Sequence, residues 1–321
     1  MTQPMPRTCV VTCMRNEGQF LLEWVAYYRA LGFDEIIVLT NDCDDGTDAM
    51  LDRLDRIGDV THIVNTCEAG ESPQVAGMRR ALKHPKVRGC DWMLHVDADE
   101  FLRIDHGAGQ IQDLLAAMPE HTDLIALAWL PFGNDGQIEW TGGNVLELNT
   151  RCQDEFDNGG FHKSLFRPNK FARAIDHMPK QPFGPVVARN GMGRRMNDRP
   201  TKGDRSKFRE DDTTLLTWEG ACVHHYAIRS EDVFVMKNAR GDGMALNNSK
   251  YFLNSGFYKR FNRNDRVETS IHRHLSEMKR IKKLYLEDDK LCALHTASET
   301  WFQNLKQRVL TDEQRAKWTR N

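Results

Sequence analysis

The triplet Asp97-Ala-Asp99 carries the first chemical signal in this 321-residue chain. Two carboxylates two residues apart can chelate a hard divalent cation where the chain turns out of a buried strand, and Mg²⁺ or Mn²⁺ held that way keeps positions for water and for diphosphate oxygens. Like charges this close repel, so the pair is costly directly after a core strand unless a cation compensates it. His225 is a candidate second ligand, because imidazole suits Mn²⁺. It lies in the strand-like run Cys222-Val-His-His-Tyr226, where alternation sends His224 and His225 to opposite faces and leaves one of them structural. His95, inside the strand before the triplet, reads as core. His177 reads either as an ordinary loop histidine or as a group that reaches an acceptor or phosphates.

These residues need elements that bring them together. The first 130 residues alternate short β-branched runs with amphipathic stretches, the pattern of βαβ units around a parallel sheet. Thr8 to Cys13 reads as a strand that breaks at Arg15-Asn-Glu-Gly18, and the next stretch places Leu21, Trp24, Val25 and Tyr28 on one helical face before Gly32 stops it. Glu35 to Thr40 is a second strand, followed by the acidic turn Asn41 to Thr47 and a helix carrying Met50, Leu51, Leu54 and Ile57. Thr61 to Asn65 is a third, and Ser72-Pro73 starts a helix with Ser as N-cap and Pro at the first position. Asp91 to Val96 is a fourth, nearly continuous in apolar residues as a strand covered on both faces should be. Right-handed crossovers put every C-terminal strand end on one rim, so Asn16 and Glu17, Asn41 to Asp45, and Asp97 to Asp99 share one crevice. Beyond residue 130 the pattern loosens. The basic stretch 189–209 (Arg189, Arg194, Arg195, Arg199, Lys202, Arg205, Lys207, Arg209) reads as a mobile loop, with a lid over donor phosphates as the alternative. Leu275 to Leu286 and Glu299 to Val309 are helical.

Composition narrows the classes. The 44 Lys and Arg against 46 Asp and Glu give a net charge of −2, so no global basic field exists to gather nucleic acid. Within 189–209 only Phe208 interleaves the cations. No apolar run approaches the ~20 residues of a membrane helix, and Met1 to Arg7 has two prolines and no apolar segment of the secretory kind. A cytoplasmic protein is expected, with peripheral contact between Lys279-Arg-Ile-Lys-Lys283 and anionic lipid left open. The eight cysteines lack a CxxC or a zinc spacing and read as reduced thiols.

Taken in order, Met14-Arg-Asn-Glu17, Leu22-Glu-Trp24 with Gly32, Asn41-Asp-Cys-Asp-Asp-Gly-Thr47 and Val96-Asp-Ala-Asp-Glu-Phe101 resemble the motifs of family 2-like glycosyltransferases. They look closer to the subgroup related to family 92. The likeness continues through Trp129-Leu-Pro-Phe-Gly133, Lys163-Ser-Leu-Phe-Arg-Pro168, His177, His225-Tyr226, Ser230, Phe234, Lys237 and Gly241. It implies a GT-A-type, Rossmann-like mixed and mostly parallel sheet flanked by helices. It further implies a nucleotide-diphosphate-sugar donor, a divalent cation (Mn²⁺ or Mg²⁺) and displacement with inversion onto a glycan or glycoconjugate. Residues 1–245 would form that domain, with a nucleotide half at about 8–130 and an acceptor half at about 131–245. Residues 246–321 would form a helical extension.

Carried over by position, Cys13, Arg15, Asn16 and Glu17 would line the nucleotide pocket, and Asp97 with Ala98 would face ribose and metal. Asp99 would be the main metal ligand and His225 the second. Asn41 stands where many family 2 members place an Asp toward uracil, so the base stays open, with a UDP-sugar the expected donor. Arg79 or Arg80 and Lys163 or Arg167 could neutralise the diphosphate. An inverting transfer also needs a general base. Asp135 is the first choice, and Asp154, Glu155 and Asp211 stay open. Two other classes remain: a noncatalytic nucleotide- or carbohydrate-binding module, and a nucleotidyltransferase. The acidic Arg15-Asn-Glu-Gly18 speaks against the latter, which normally carries a Gly-rich, Lys-bearing loop there.

Overall fold

In the computed structural model, which describes residues 4–68, 70–156, 160–203, 208, 215–240 and 251–319, the first βα steps run as the hydrophobic period predicts. In chain order they are β1 (Thr8–Met14), α1 (Gly18–Ala30), β2 (Glu35–Thr40), α2 (Thr47–Arg56), β3 (Thr61–Val64), α3 (Pro73–Ala81), α4 (Pro85–Arg88) and β4 (Trp92–His95). β1 pairs in parallel with β2 and β4, and β2 with β3, so their C-terminal ends share a rim. The Ser72 hydroxyl accepts from the Val75 N–H and Pro73 opens α3, the expected cap.

The middle of the chain supplies β5 (Glu100–Ile104), α5 (Ile111–Ala117), β6 (Leu124–Pro131), α6 (Val145–Leu148), β7 (Arg151–Cys152) and β8 (His162–Phe166). β9 (Phe171–Ala174), β10 (Pro179–Pro182), β11 (Ala188–Asn190), β12 (Arg195–Met196), α7 (Arg199–Lys202) and β13 (Ala221–His225) follow. The chain closes with α8 (Glu231–Arg240), α9 (Gly256–Phe261), β14 (Arg266–Val267), α10 (Leu275–Leu286), α11 (Asp289–Val309) and α12 (Asp312–Thr319). One large mixed sheet runs β12-β11-β6-β8-β4-β1-β2-β3, and β13 pairs with both β5 and β6. β8 lies antiparallel between β4 and β6, joining the parallel N-terminal half to the rest. The expected mixed α/β sheet with flanking helices and a helical C-terminal region is present.

Two expectations need correction. Periodicity gives α1 one apolar face, yet nearly every residue of it is buried, because α10 and α11 pack against it. The tail is therefore a layer of the fold. Gly18 marks how close it comes, since a Cβ there would sit 2.1 Å from Ser298 Oγ of α11. Residues 188–196 of the basic stretch form the edge hairpin β11-β12, with Arg189 donating from Nε to Thr122 Oγ1 at 3.0 Å. Arg205, Lys207 and Arg209 lie outside the described residues. Lys279 binds Glu147 and Lys282 binds Asn144, which ties α10 to α6 and its N-cap, while Arg280 binds Glu277 within α10. All eight cysteines are unpaired, and among the described residues no helix is long and apolar enough to cross a membrane.

Candidate active site

The turn after β4 is fixed carbonyl by carbonyl. From α1, Trp24 Nε1 donates to the Asp97 carbonyl at 3.2 Å, Tyr28 Oη to that of Glu100 at 3.0 Å, and Tyr27 Oη to that of Leu102 at 2.6 Å. Arg229 Nη2 donates to the Ala98 carbonyl at 2.8 Å, and the Tyr226 N–H to that of Asp99 at 2.8 Å. The Glu100 carboxylate accepts from the Asp97 N–H at 2.7 Å. Each such bond contributes on the order of 1 kcal/mol. Together they hold the two carboxylates in place before any ligand arrives, the supporting shell a functional site needs.

Asp97, Ala98 and Asp99 face a cavity of about 600 Å³. One end is built from the strand-end loops, with Cys13, Arg15, Glu17 and Asn41. The opposite end is aromatic, with Trp129, Phe161, Phe257 and Phe261. Asp176, His177, His225, Lys237 and Arg260 complete the wall. Trp129 lies parallel to Phe161 at 5.3 Å between centroids and stacks on the His225 ring at 4.1 Å. His224 points the other way, packed on Phe132 at 4.6 Å, which is the division that strand alternation predicts.

The two carboxylates of the triplet sit in different fields. Asp97 accepts from Gln74 Nε2 at 3.0 Å and from Lys163 Nζ at 2.9 Å. Burial, with Asp176 and Asp99 nearby, outweighs Lys163 and pushes its carboxyl up to about 6. Burial also opposes ionisation of Asp99, but the Lys237 ammonium at 2.8 Å, with His225 and Arg229, holds that carboxyl well below the usual range. Burial drives the His225 imidazole down to about 3, so the ring is neutral. Glu17 pairs with Arg229 at 3.0 Å, both buried.

Two groupings here carry ligand atoms of the kind that divalent cations take. Asp99 Oδ1 lies 3.9 Å from His225 Nε2. One group is ionised and the other neutral, the states in which they ligate metal. A second cluster, His95, Asp97 and Asp176, offers ligand atoms within 4.8 Å of one another. Lys163 already neutralises it, with Nζ 2.9 Å from Asp97 and 2.6 Å from Asp176.

Other expected residues lie elsewhere. Asp135 is turned into a loop, where its carboxylate accepts from the Thr150 N–H at 2.6 Å, Thr150 Oγ1 at 3.0 Å and the Arg151 N–H at 3.1 Å; it does not line the cavity. Asp154 and Glu155 are exposed away from it, and Asp211 lies outside the described residues. Arg79 pairs with Glu71 at 2.7 Å on the surface, and Arg80 donates to Asn65 at 2.6 Å. Arg167 covers Trp92. Lys163 is fully buried behind the carboxylates and reaches no ligand space. Asn16, at φ 52°, turns its amide onto Asp44 and borders a small neighbouring cavity of about 30 Å³. Sequence reasoning missed Asp176, Arg229 and the α9 wall. It met Lys237 only within the motif series.

A family model described as Glycosyltransferase family 92 matches residues 7–238. A family 92 glycosyltransferase protein of Ricinus communis is 25% identical over 267 residues, covering 82% of this chain and 38% of that protein. Another from Oryza sativa subsp. japonica is 30% identical over 111 residues, covering 33% and 18%. The chain thus spans less than two fifths of the length of these relatives. Among solved structures, S. aureus TarS 1-349 in complex with UDP aligns over 50% of this chain and 47% of that one, at 14% identity and TM-score 0.33. Glucosyl-3-phosphoglycerate synthase from Mycobacterium tuberculosis, with Mg²⁺ and UDP, aligns over 39% and 44% at 15% identity and TM-score 0.26.

Proposed function

We propose that this chain, which belongs to glycosyltransferase family 92, transfers a sugar from a nucleotide-diphosphate-sugar, a UDP-sugar first, to a glycan or glycoconjugate. The reaction would be cation-dependent and inverting, on a GT-A-type fold. The observation that carries this reading is the meeting of the strand-end loops, the Asp97/Asp99 pair and His225 on one 600 Å³ cavity. Its polar end suits a nucleotide diphosphate and its aromatic end the apolar face of a sugar ring.

Cys13, Arg15, Glu17 and Asn41 would border the nucleotide, and Asp97 with Ala98 the ribose side. Asp99 and His225 would hold Mn²⁺ or Mg²⁺, which supplies positive charge to the departing diphosphate. The acceptor proton needs a base on the cavity wall, where Asp135 does not lie. The His177 and Asp176 pair on that wall would take the role together: His177 Nδ1 lies 2.9 Å from the His162 carbonyl and Nε2 3.2 Å from Asp176 Oδ2, so the acceptor's proton would pass to the pair and not to an unoccupied ring nitrogen.

A thermal-shift panel of nucleoside diphosphates and nucleotide sugars, with and without Mn²⁺, followed by an assay for diphosphate release with glycan acceptors, tests the proposal. One nucleotide series should raise Tm by roughly 5 °C at a hundredfold excess over Kd, only with Mn²⁺, and its sugar form should turn over. Binding without turnover would make the chain a binding module. No response to any member would contradict the reading.

A further inference from the structure

The diphosphate of the proposed donor needs a cation from the protein, and neither Arg79 nor Lys163 reaches the cavity. Among the described residues, the Lys and Arg side chains that line it are Arg15, Lys237 and Arg260. Arg15 belongs to the nucleotide loop, and Arg260 lies over the Phe161 ring at the aromatic end. Lys237 touches the carboxylate pair directly. It stands on α8, 7% exposed, with Nζ 2.8 Å from Asp99 Oδ2 and 2.8 Å from the Ala227 carbonyl. The other Asp99 oxygen faces His225 Nε2 at 3.9 Å. The ammonium is thus stationed beside the proposed cation position, on the side of the carboxylate away from His225.

We infer that Lys237 is the residue that receives the charge of the leaving nucleoside diphosphate; this rests on the function proposed above. In the transfer, the acceptor oxygen forms a bond to the anomeric carbon and gives its proton to the base. The bond from that carbon to the β-phosphate oxygen breaks, and its electron pair goes to the oxygen. An N–H of Lys237 then donates to the diphosphate, whose negative charge has grown by one. A donor already fixed on Asp99 and Ala227 costs little reorganisation at that moment, which is what makes such groups effective. A structural role would tie Lys237 to nucleotides in general. A leaving-group role ties it to the second phosphate.

The test compares diphosphate and monophosphate affinities. The diphosphate and monophosphate of each common nucleoside are titrated calorimetrically, with Mn²⁺, into the wild type and Lys237→Gln. Lys237→Gln should lose roughly tenfold in affinity for the diphosphate that binds, keep the monophosphate within about twofold, and lose about 10²–10³ in kcat. Mn²⁺ affinity of the nucleotide-free variant, read by electron paramagnetic resonance, should rise, because Asp99 loses a competing cation. Diphosphate and monophosphate affinities that fall in step, or an unchanged diphosphate affinity, would overturn the inference. If Lys237→Gln does not fold, a wild-type complex with diphosphate and Mn²⁺ decides: Nζ must lie within hydrogen-bond distance of a diphosphate oxygen, and Nζ left on Asp99 away from the phosphates refutes the role. Failure of the wild type to bind any nucleotide would sink the proposed function itself, a different result.

Discussion

Lys163→Met is the sharpest test of how the carboxylates survive next to one another. Lys163 is fully buried, with Nζ 2.9 Å from Asp97, 2.6 Å from Asp176 and 3.4 Å from Glu100. Burial alone would push its ammonium toward neutrality, but the surrounding carboxylates raise it well above the ordinary range. Methionine keeps most of the volume and deletes the charge. Breaking one partner of a buried ion pair costs about 3–5 kcal/mol, which for a chain of this size lowers Tm by roughly 4–7 °C. The variant should also gain a property. His95, Asp97 and Asp176, with ligand atoms within 4.8 Å, are left as an unneutralised cluster, so Mn²⁺ should stabilise Lys163→Met more than the wild type. At a hundredfold excess over Kd the added increment is about 2.7 kcal/mol. Differential scanning calorimetry with and without Mn²⁺ reads both effects. A variant that melts within about 2 °C of the wild type, or one whose Mn²⁺ increment is no larger, would refute the argument that Lys163 serves as the cation of this cluster.

Two further outcomes follow from the same geometry. Asp135→Ala should leave kcat per folded molecule unchanged in a steady-state assay and cost about 1–3 kcal/mol of stability, because it removes the acceptor of the Thr150 and Arg151 N–H groups; a large loss of kcat would return Asp135 to the chemistry. Burial in α11 lowers the His295 imidazole to about 4, against about 6.5 in an unfolded chain. Between those values the unfolded chain binds more protons, so stability should fall as pH drops from 6.5 toward 4, by up to about 3 kcal/mol. Urea melts of wild type and His295→Gln should differ in that window, and identical pH dependence would count against the assignment.

The N-terminal half was legible because its signals are local. Strands β1, β2 and β4 are short apolar runs, α2 has an amphipathic face and α3 its Ser72 cap, and right-handed crossovers leave one place for Asn41 and the Asp97/Asp99 pair. The His224/His225 division followed from strand alternation alone. What escaped depends on distance along the chain. Lys163 has the spacing of a surface cation on a strand, and only the fold sets it against Asp97, 66 positions earlier. Asp176 sits in a loop without a motif. Arg229, at φ 60°, joins Glu17 to the Ala98 carbonyl across more than a hundred residues. Phe257 and Phe261 resembled part of an appended helical tail, yet they wall the cavity, so a boundary at 245 cuts through the site. Asp135 misled because a Gly- and Asn-rich turn gives a carboxylate local N–H partners as readily as a catalytic position.

The central claim is that Asp99 holds a divalent cation on which donor binding depends. Its most direct test is calorimetric titration of the nucleoside diphosphate picked out by thermal shift into wild type and Asp99→Ala, each with and without Mn²⁺. The account predicts that wild type binds only with Mn²⁺, and that Asp99→Ala loses this dependence together with the affinity while still folding. Equal affinity with and without Mn²⁺, or an Asp99→Ala variant that binds like wild type, would contradict it.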